Sequence, residues 1–206
     1  MGRLFIVGAG GHGQVLAELA GLSGRWESVL MLDDREHQDR SDPDLPIVGS
    51  SADLAGLHRD GDSFLIGLGE NARRIELLRS FRRIAEPATI ISPQAMLSPS
   101  CTIGIGTVVM PGAIVQTGAV VGEGCILNSG CIVEHGVTLA DGVHLAPGAS
   151  IGGESSIGAL SWIGIGASII HGVSIGSDVI VGAGAVVLES LESSGTYAGV
   201  PARRVR

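Results

Sequence analysis

From Ile91 to Val187 an aliphatic residue returns at every sixth position: Ile91, Leu97, Ile103, Val109, Val115, Val121, Leu127, Val133, Leu139, Leu145, Ile151, Ile157, Ile163, Ile169, Ile175, Val181 and Val187. A helix of period 3.6 cannot keep a six-residue spacing on one face, and a lone strand alternates every two residues. The pattern is therefore an internal repeat. Glycine often follows the aliphatic residue directly, at Gly104, Gly122, Gly152, Gly158, Gly164, Gly176 and Gly182, and is expected there to permit the bend after each short strand. Three six-residue sides then close one eighteen-residue coil, stacked about 4.8 Å above the last. The run makes between five and six coils, each buried only by its neighbours. The prediction is a parallel β-helix over residues 88–206.

Before about Pro87 the pattern is different. GRLFIVG reads as a strand, HGQVLAELAGL as a helix and VLMLDD as a second strand. PIVG reads as a short strand, SADLAGLH as a short helix with Ser51 as its cap, SFLIGLG as a further strand and NARRIELLRSFRRI as a basic amphipathic helix. Alternating strands and helices predict a small parallel α/β domain over residues 1–87.

The first strand runs into Gly8-Ala9-Gly10-Gly11-His12-Gly13, and Asp33 lies twenty residues after Gly13. That is the glycine turn and acidic residue of a dinucleotide fingerprint. A complete dinucleotide domain needs about 150 residues in two halves, whereas the repeat begins at Ile91. Only one mononucleotide-binding unit fits, a half-Rossmann domain, which speaks against an NAD-dependent oxidoreductase.

Composition adds exclusions. The 33 glycines, 45% hydrophobic and 3% aromatic residues match a repeat built on small and aliphatic side chains. A formal charge of −8 opposes a phosphate-tracking nucleic-acid surface. All 13 basic residues are Arg, which removes lysine Schiff-base chemistry and a P-loop lysine. Cys101, Cys125 and Cys131 match no paired-cysteine spacing and read as small core residues; no metal is expected. LFIV is too short for a signal peptide or membrane span, so a cytoplasmic protein without membrane insertion is expected.

The hexads resemble the left-handed parallel β-helix of the hexapeptide acyltransferases, an exception to right-handed crossovers. That resemblance implies a homotrimer with the acyl donor in the groove between neighbouring prisms. The tail Tyr197-Ala198-Gly199-Val200-Pro201-Ala202-Arg203 resembles the G-[VN]-P-A-[KR] ending of acetyl-CoA-dependent members, which implies Pro201 and Arg203 at the cofactor, with Ile165 and Ala183 also assigned to it. Asn128 to His135, followed by His144, is similar to the catalytic segment of the sialic acid O-acetyltransferase and bacillosamine-pathway N-acetyltransferase group. By that match His135 is the base, with Glu134 beside it and Asn128 lining the cleft. His144 lies at the thioester end, and the Gly153 N–H faces the thioester oxygen.

These residue types suit the chemistry. A thioester is already activated, so transfer needs an acceptor held close, a base near neutral pKa and N–H donors for the developing oxyanion. One position departs from the group: an acid usually follows the base, and here it is Gly136. Glu134, Asp141 or a residue of a neighbouring chain is left to replace it. His171 stands two coils above His135, about 9.6 Å along the axis and too far to share its proton, and reads as a groove or interface residue.

The resemblance extends over the N-terminal half. It implies that Gly10, Gly11 and His12 approach phosphates at a helix N-terminus, while Asp33 and Asp34 meet the base and ribose. Gly69 ends a strand at the same edge, and Asn71 and Arg74 contact the sugar or cap the next helix. The expected function is acetyl-CoA-dependent N-acetylation of a nucleotide-linked amino sugar, a UDP-linked 4-amino sugar first. The alternatives are O-acetylation of sialic acid or a related sugar, and a non-catalytic trimeric binding protein. The histidines do not repeat the three-histidine spacing of hexapeptide carbonic anhydrases.

Overall fold

A computed structural model of the chain describes residues 2–35 and 45–205. It divides into two compact units, Met1–Ile90 and Ile91–Arg206. In the first, the elements are β1 (Leu4–Val7), α1 (Gly11–Ser23), β2 (Val29–Leu32), β3 (Ile47–Gly49), α2 (Leu54–Leu57), β4 (Ser63–Ile66), α3 (Asn71–Phe81) and β5 (Glu86–Pro87). The sheet is wholly parallel in the order β3-β2-β1-β4-β5. Central β1, and β4 after its half-buried Ser63, are continuous buried apolar runs because a parallel sheet is covered on both faces. The order reverses between β1 and β4, so the carboxyl ends of these strands form the switch-point crevice where α/β sheets bind ligands.

Two caps differ from expectation. Ser50, not Ser51, is the N-cap of the 3₁₀ turn Ser51–Asp53 before α2, its N–H and hydroxyl both donating to Asp53 at 2.8 and 2.7 Å. Glu70 caps α3, accepting from the amides of Ala72 and Arg73 at 2.9 and 2.7 Å. A carboxylate is favoured there because it also meets the positive end of the helix dipole. The edge strand β5 was not expected; a two-residue strand ending in Pro carries no periodic signal.

The second unit is a prism of short strands, nearly all of two residues, with the hexad aliphatic as the last residue of each repeat strand. Through the repeat each strand residue pairs with the one eighteen positions on, as in Ile114↔Ile132, Val121↔Leu139 and Leu127↔Leu145, and the step shortens to sixteen at the C-terminal end, as in Val181↔Tyr197. Strands stack into three faces of six, five and eight members, parallel throughout except for the last strand of the third, whose eight include a C-terminal hairpin of Gly195–Ala198 and Arg203–Arg204. From Val109 onward the hexad side chains are buried in one continuous core; each contributes about 1.5–3 kcal/mol. Ile91 departs from the expected inward set, being 41% exposed at the open start of the stack, and Leu97 and Ile103 are only partly buried.

The glycines of the repeat do two separate jobs, and the expected one belongs to a different position. The left-handed corner residue is the third after the aliphatic. Eleven such positions, from Gly106 to Gly184, are glycines with φ of 58–72°. Glu154, Leu160 and Asp178 hold the same register at φ 59, 62 and 55°, costing about 1 kcal/mol or more each. The glycines directly after the aliphatic instead allow coils to approach. A Cβ on Gly158 would lie 2.5 Å from the carbonyl carbon of Gly176, and one on Gly104 would strike the backbone of Gly122.

Candidate active site

The first site is the crevice above the sheet, a cavity of about 380 Å³ lined by the glycine turn, the end of β2, the loop after β4 and the start of α3. Gly8 takes φ +107°, open only to glycine without strain. A Cβ on Gly13 would strike the Gly8 carbonyl, so the helix can approach the turn only with glycine there. Gly10 precedes α1 without a side-chain cap, which leaves the first helical amides available to an anion. Gly10, Gly11, His12, Asp33, Asp34 and Gly69 all line this cavity.

The acidic pair is partly engaged within the fold. Buried Asp33 accepts from the Ala9 amide at 2.7 Å and from the backbone and guanidinium of Arg35, at 2.9, 3.0 and 2.8 Å. The Arg35 hydrogen bond, with these amides, holds its carboxyl far below the usual carboxylate range. Asp34 accepts from the amide and hydroxyl of Ser51 at 2.7 and 3.0 Å. Asp33 thus clamps the glycine turn to β2, and Asp34 clamps β2 to the segment after β3.

His12 Nε2 is buried with no hydrogen-bond partner among the described residues. Burial, then the nearby Arg74 charge, push its pKa down to about 4, so it is a neutral imidazole at the glycine-turn end of the cavity. Arg74 is 1% exposed and donates to the carbonyls of Leu68 and Gly69 at 3.1 and 3.2 Å and to Asn71 Oδ1 at 2.8 Å. Arg74 and Asn71 together brace the loop carrying Gly69. Arg35 and Arg73 line the cavity as well, and sequence reasoning missed them. For Arg35 the signal was its place two residues past the strand-end acid.

In the prism, His135 occupies an exposed corner after the strand Ile132–Val133, and Glu134 accepts from its amide at 3.4 Å. One coil on, Gly153 has the same place in its hexad. A Cβ there would lie 2.5 Å from His135 Nε2, 2.6 Å from Cε1 and 3.0 Å from Cδ2. The imidazole therefore lies against Gly153, in space only glycine leaves empty. Of the two acids proposed to assist it, Glu134 meets the backbone amide of His135, and Asp141 accepts from the Glu123 amide at 3.0 Å.

His144 lies on another face, the first residue of the strand His144–Leu145, stacked against Trp162 with ring centroids 5.8 Å apart. Trp162 follows from the eighteen-residue step, yet it was overlooked. Ile165, 60% exposed, and Ala183 stack one coil apart at the corner after this face, the Gly184 amide donating to the Ile165 carbonyl at 2.8 Å. Asn128 belongs to the same corner one coil below Ala146, and its Oδ1 accepts from the Ser129 amide at 2.8 Å. Pro201 and Arg203 sit in the C-terminal turn and hairpin, Arg203 pairing with Glu189 at 2.9 Å. One chain thus brings His135 to Gly153 at one corner and groups His144, Ile165, Ala183 and Asn128 around another face.

Residues 3–81 match the PglD N-terminal domain, and residues 118–153 and 154–189 each match the six-repeat bacterial transferase hexapeptide. The acetyltransferase domain of PglB from Neisseria gonorrhoeae FA1090, solved with acetyl coenzyme A, is 36% identical over 98% of both chains, with a TM-score of 0.94. The chain belongs to the PglD/NeuD-like group of sugar acetyltransferases. PerB from Caulobacter crescentus, solved with CoA and GDP-perosamine, is 34% identical over all of this chain and 98% of its own, with a TM-score of 0.92. WeeI from Acinetobacter baumannii AYE is 25% identical over the full length of both, with a TM-score of 0.93. No curated protein sequence matches the chain. The likeness to the PglD/NeuD-like structures makes the prism a left-handed β-helix. Among the described residues, no group of three or more His, Cys, Asp or Glu is placed to hold a metal, and no helix is long and apolar enough to cross a membrane.

Proposed function

We propose that this protein transfers the acetyl group of acetyl-CoA to the amino group of a nucleotide-linked amino sugar, with His135 as general base. The observation that carries this reading is full-length similarity to PglB with acetyl coenzyme A and to PerB with CoA and GDP-perosamine. The α/β cavity supplies the matching half: uncapped α1 amides for a diphosphate, flanked by Arg35 and Arg73.

In the reaction, the amine nitrogen attacks the thioester carbonyl carbon and the carbonyl electron pair moves to oxygen. His135 Nε2 takes the proton from nitrogen, and the Gly153 N–H donates to the oxyanion. Collapse restores the carbonyl, breaks the C–S bond and releases CoA thiolate, which takes the proton from the imidazolium. Proximity is the main requirement, since the thioester needs no further activation.

The active unit is a homotrimer in this reading. Its support is the separation of His135 and Gly153 from His144, Ile165 and Ala183 within one chain, so that a groove between two protomers joins the two sets. Trp162 and Ile180, 45% and 42% exposed on the His144 face, supply apolar surface there. A thiol-release assay over UDP-, GDP- and dTDP-linked 4-amino sugars and free sialic acid tests the reading. Turnover on a nucleotide-linked amino sugar supports it, and turnover on free sialic acid alone overturns it.

A further inference from the structure

We infer that Glu154 is the positioning residue for His135: it sets the imidazole over Gly153 and stabilises the imidazolium formed when His135 takes the acceptor's proton. The inference rests on the reading of His135 as base.

The geometry comes from the column of corner residues around His135. Four of them take a positive φ, at Gly118, Gly136, Glu154 and Gly172, and only Glu154 carries a side chain. Its register follows directly from the stack, because the Glu154 amide donates to the His135 carbonyl at 2.9 Å. The imidazole leans one coil up onto Gly153, which places it beside the residue that follows Gly153 in the chain. Gly136 clears the other side. A Cβ built on Gly136 would lie 3.4 Å from Glu154 Cγ, so the Glu154 side chain runs within van der Waals reach of the position directly after the base.

The other acids nearby are differently placed. Glu134 meets the backbone amide of His135, and the Asp141 carboxylate meets the Glu123 amide one coil below. Glu154 is exposed to solvent, like His135, at the corner position stacked one coil above Gly136. A carboxylate beside a catalytic histidine orients the ring and favours its protonated form. The Glu154 carboxylate is expected to meet the imidazole when both substrates close over this corner, since catalytic hydrogen bonds commonly form or tighten only in the complex.

The test measures kcat and both KM values by thiol release for Glu154→Gln, Glu154→Asp and Glu154→Gly, beside His135→Ala. Glu154→Gln and Glu154→Gly are expected to lower kcat about 10- to 100-fold, the size of the effect of a partner that orients a functional histidine, while each KM stays within twofold. Glu154→Asp recovers a substantial part of the rate. Glu154→Gly melts no lower than the parent, since glycine is the ordinary residue of this corner, so a merely structural role cannot explain its rate loss. If His135→Ala is inactive and both Glu154→Gln and Glu154→Gly stay within twofold of parental kcat, the assignment of Glu154 is overturned and that of His135 stands. If His135→Ala keeps the full rate, the base itself is wrong and Glu154 falls with it.

Discussion

Replacing Gly153 with alanine adds one methyl group where the His135 imidazole lies. The added Cβ would stand 2.5 Å from Nε2 and 2.6 Å from Cε1, and an ordinary carbon contact needs about 3.5 Å. The ring must therefore retreat by about 1 Å. A misplacement of that size at a reacting centre costs about 100-fold. The backbone bears little of the change, because Gly153 does not use a positive φ and the atoms it meets belong to an exposed side chain. Gly153→Ala also keeps its N–H, so lost oxyanion donation cannot account for the effect. Gly152→Ala is the control: its Cβ would meet the backbone, 2.5 Å from the His171 nitrogen and 2.7 Å from the Ile170 carbonyl carbon, and such overpacking typically costs about 1–3 kcal/mol. Thiol-release kinetics and thermal melting of both variants give the answer. Gly153→Ala is expected to lose about 100-fold in kcat with a parental melting temperature, and Gly152→Ala to melt lower. A Gly153→Ala enzyme within threefold of the parental kcat refutes the placement of the base.

Three other outcomes follow from the same structure. His12 titrates at about 4 instead of 6.5, so below pH 6.5 the unfolded chain binds the proton first, and stability falls from pH 6.5 to about 4 and then levels. The loss from this group is at most about 3 kcal/mol; denaturant titrations across this range should show His12→Asn with a flatter dependence than the parent, and equal slopes would contradict the burial of His12. Asp33→Ala leaves the Ala9 amide and Arg35 without their carboxylate, which should cost about 1–3 kcal/mol and raise KM for the nucleotide sugar more than for acetyl-CoA; equal effects on the two would remove Asp33 from the nucleotide end. Burial pushes the Cys131 thiol up to about 12, and Cys125 is also buried whereas Cys101 is partly exposed. The folded protein should therefore show at most one reactive thiol by mass spectrometry after alkylation and three only in denaturant, and three fast thiols would contradict the packed prism.

The repeat could be read from sequence because one residue in six must point into a narrow interior, and no other architecture keeps that spacing for so long. The two glycine positions of each hexad were harder to separate. Spacing shows that small residues recur, but only the backbone shows that Gly106 turns the chain while Gly104 lets the next coil approach. The glycine turn and the strand-end acids were recognisable because their spacing follows from one strand, one turn and one helix. Arg35, Arg73 and Trp162 were missed: Arg35 reaches its site from the segment after β2, Arg73 from the first turn of α3 and Trp162 through coil stacking, none of them as part of a motif. His135 and His144 look adjacent in sequence, yet nine residues are one and a half sides of the prism, which sends them to different places on it. Glu154 was visible only as a gap in a column of glycines, and it acquires meaning once coils are stacked eighteen residues apart.

The central claim is amide formation on a nucleotide-linked sugar by a histidine base. It is tested most directly by incubating the parent and His135→Ala with carbonyl-labelled acetyl-CoA and the best nucleotide-linked amino sugar, then locating the label by NMR. The account predicts a label on the amine nitrogen as an amide resistant to hydroxylamine, with the rate in His135→Ala lower by at least about 100-fold. A hydroxylamine-labile ester, or an undiminished rate in His135→Ala, would contradict it.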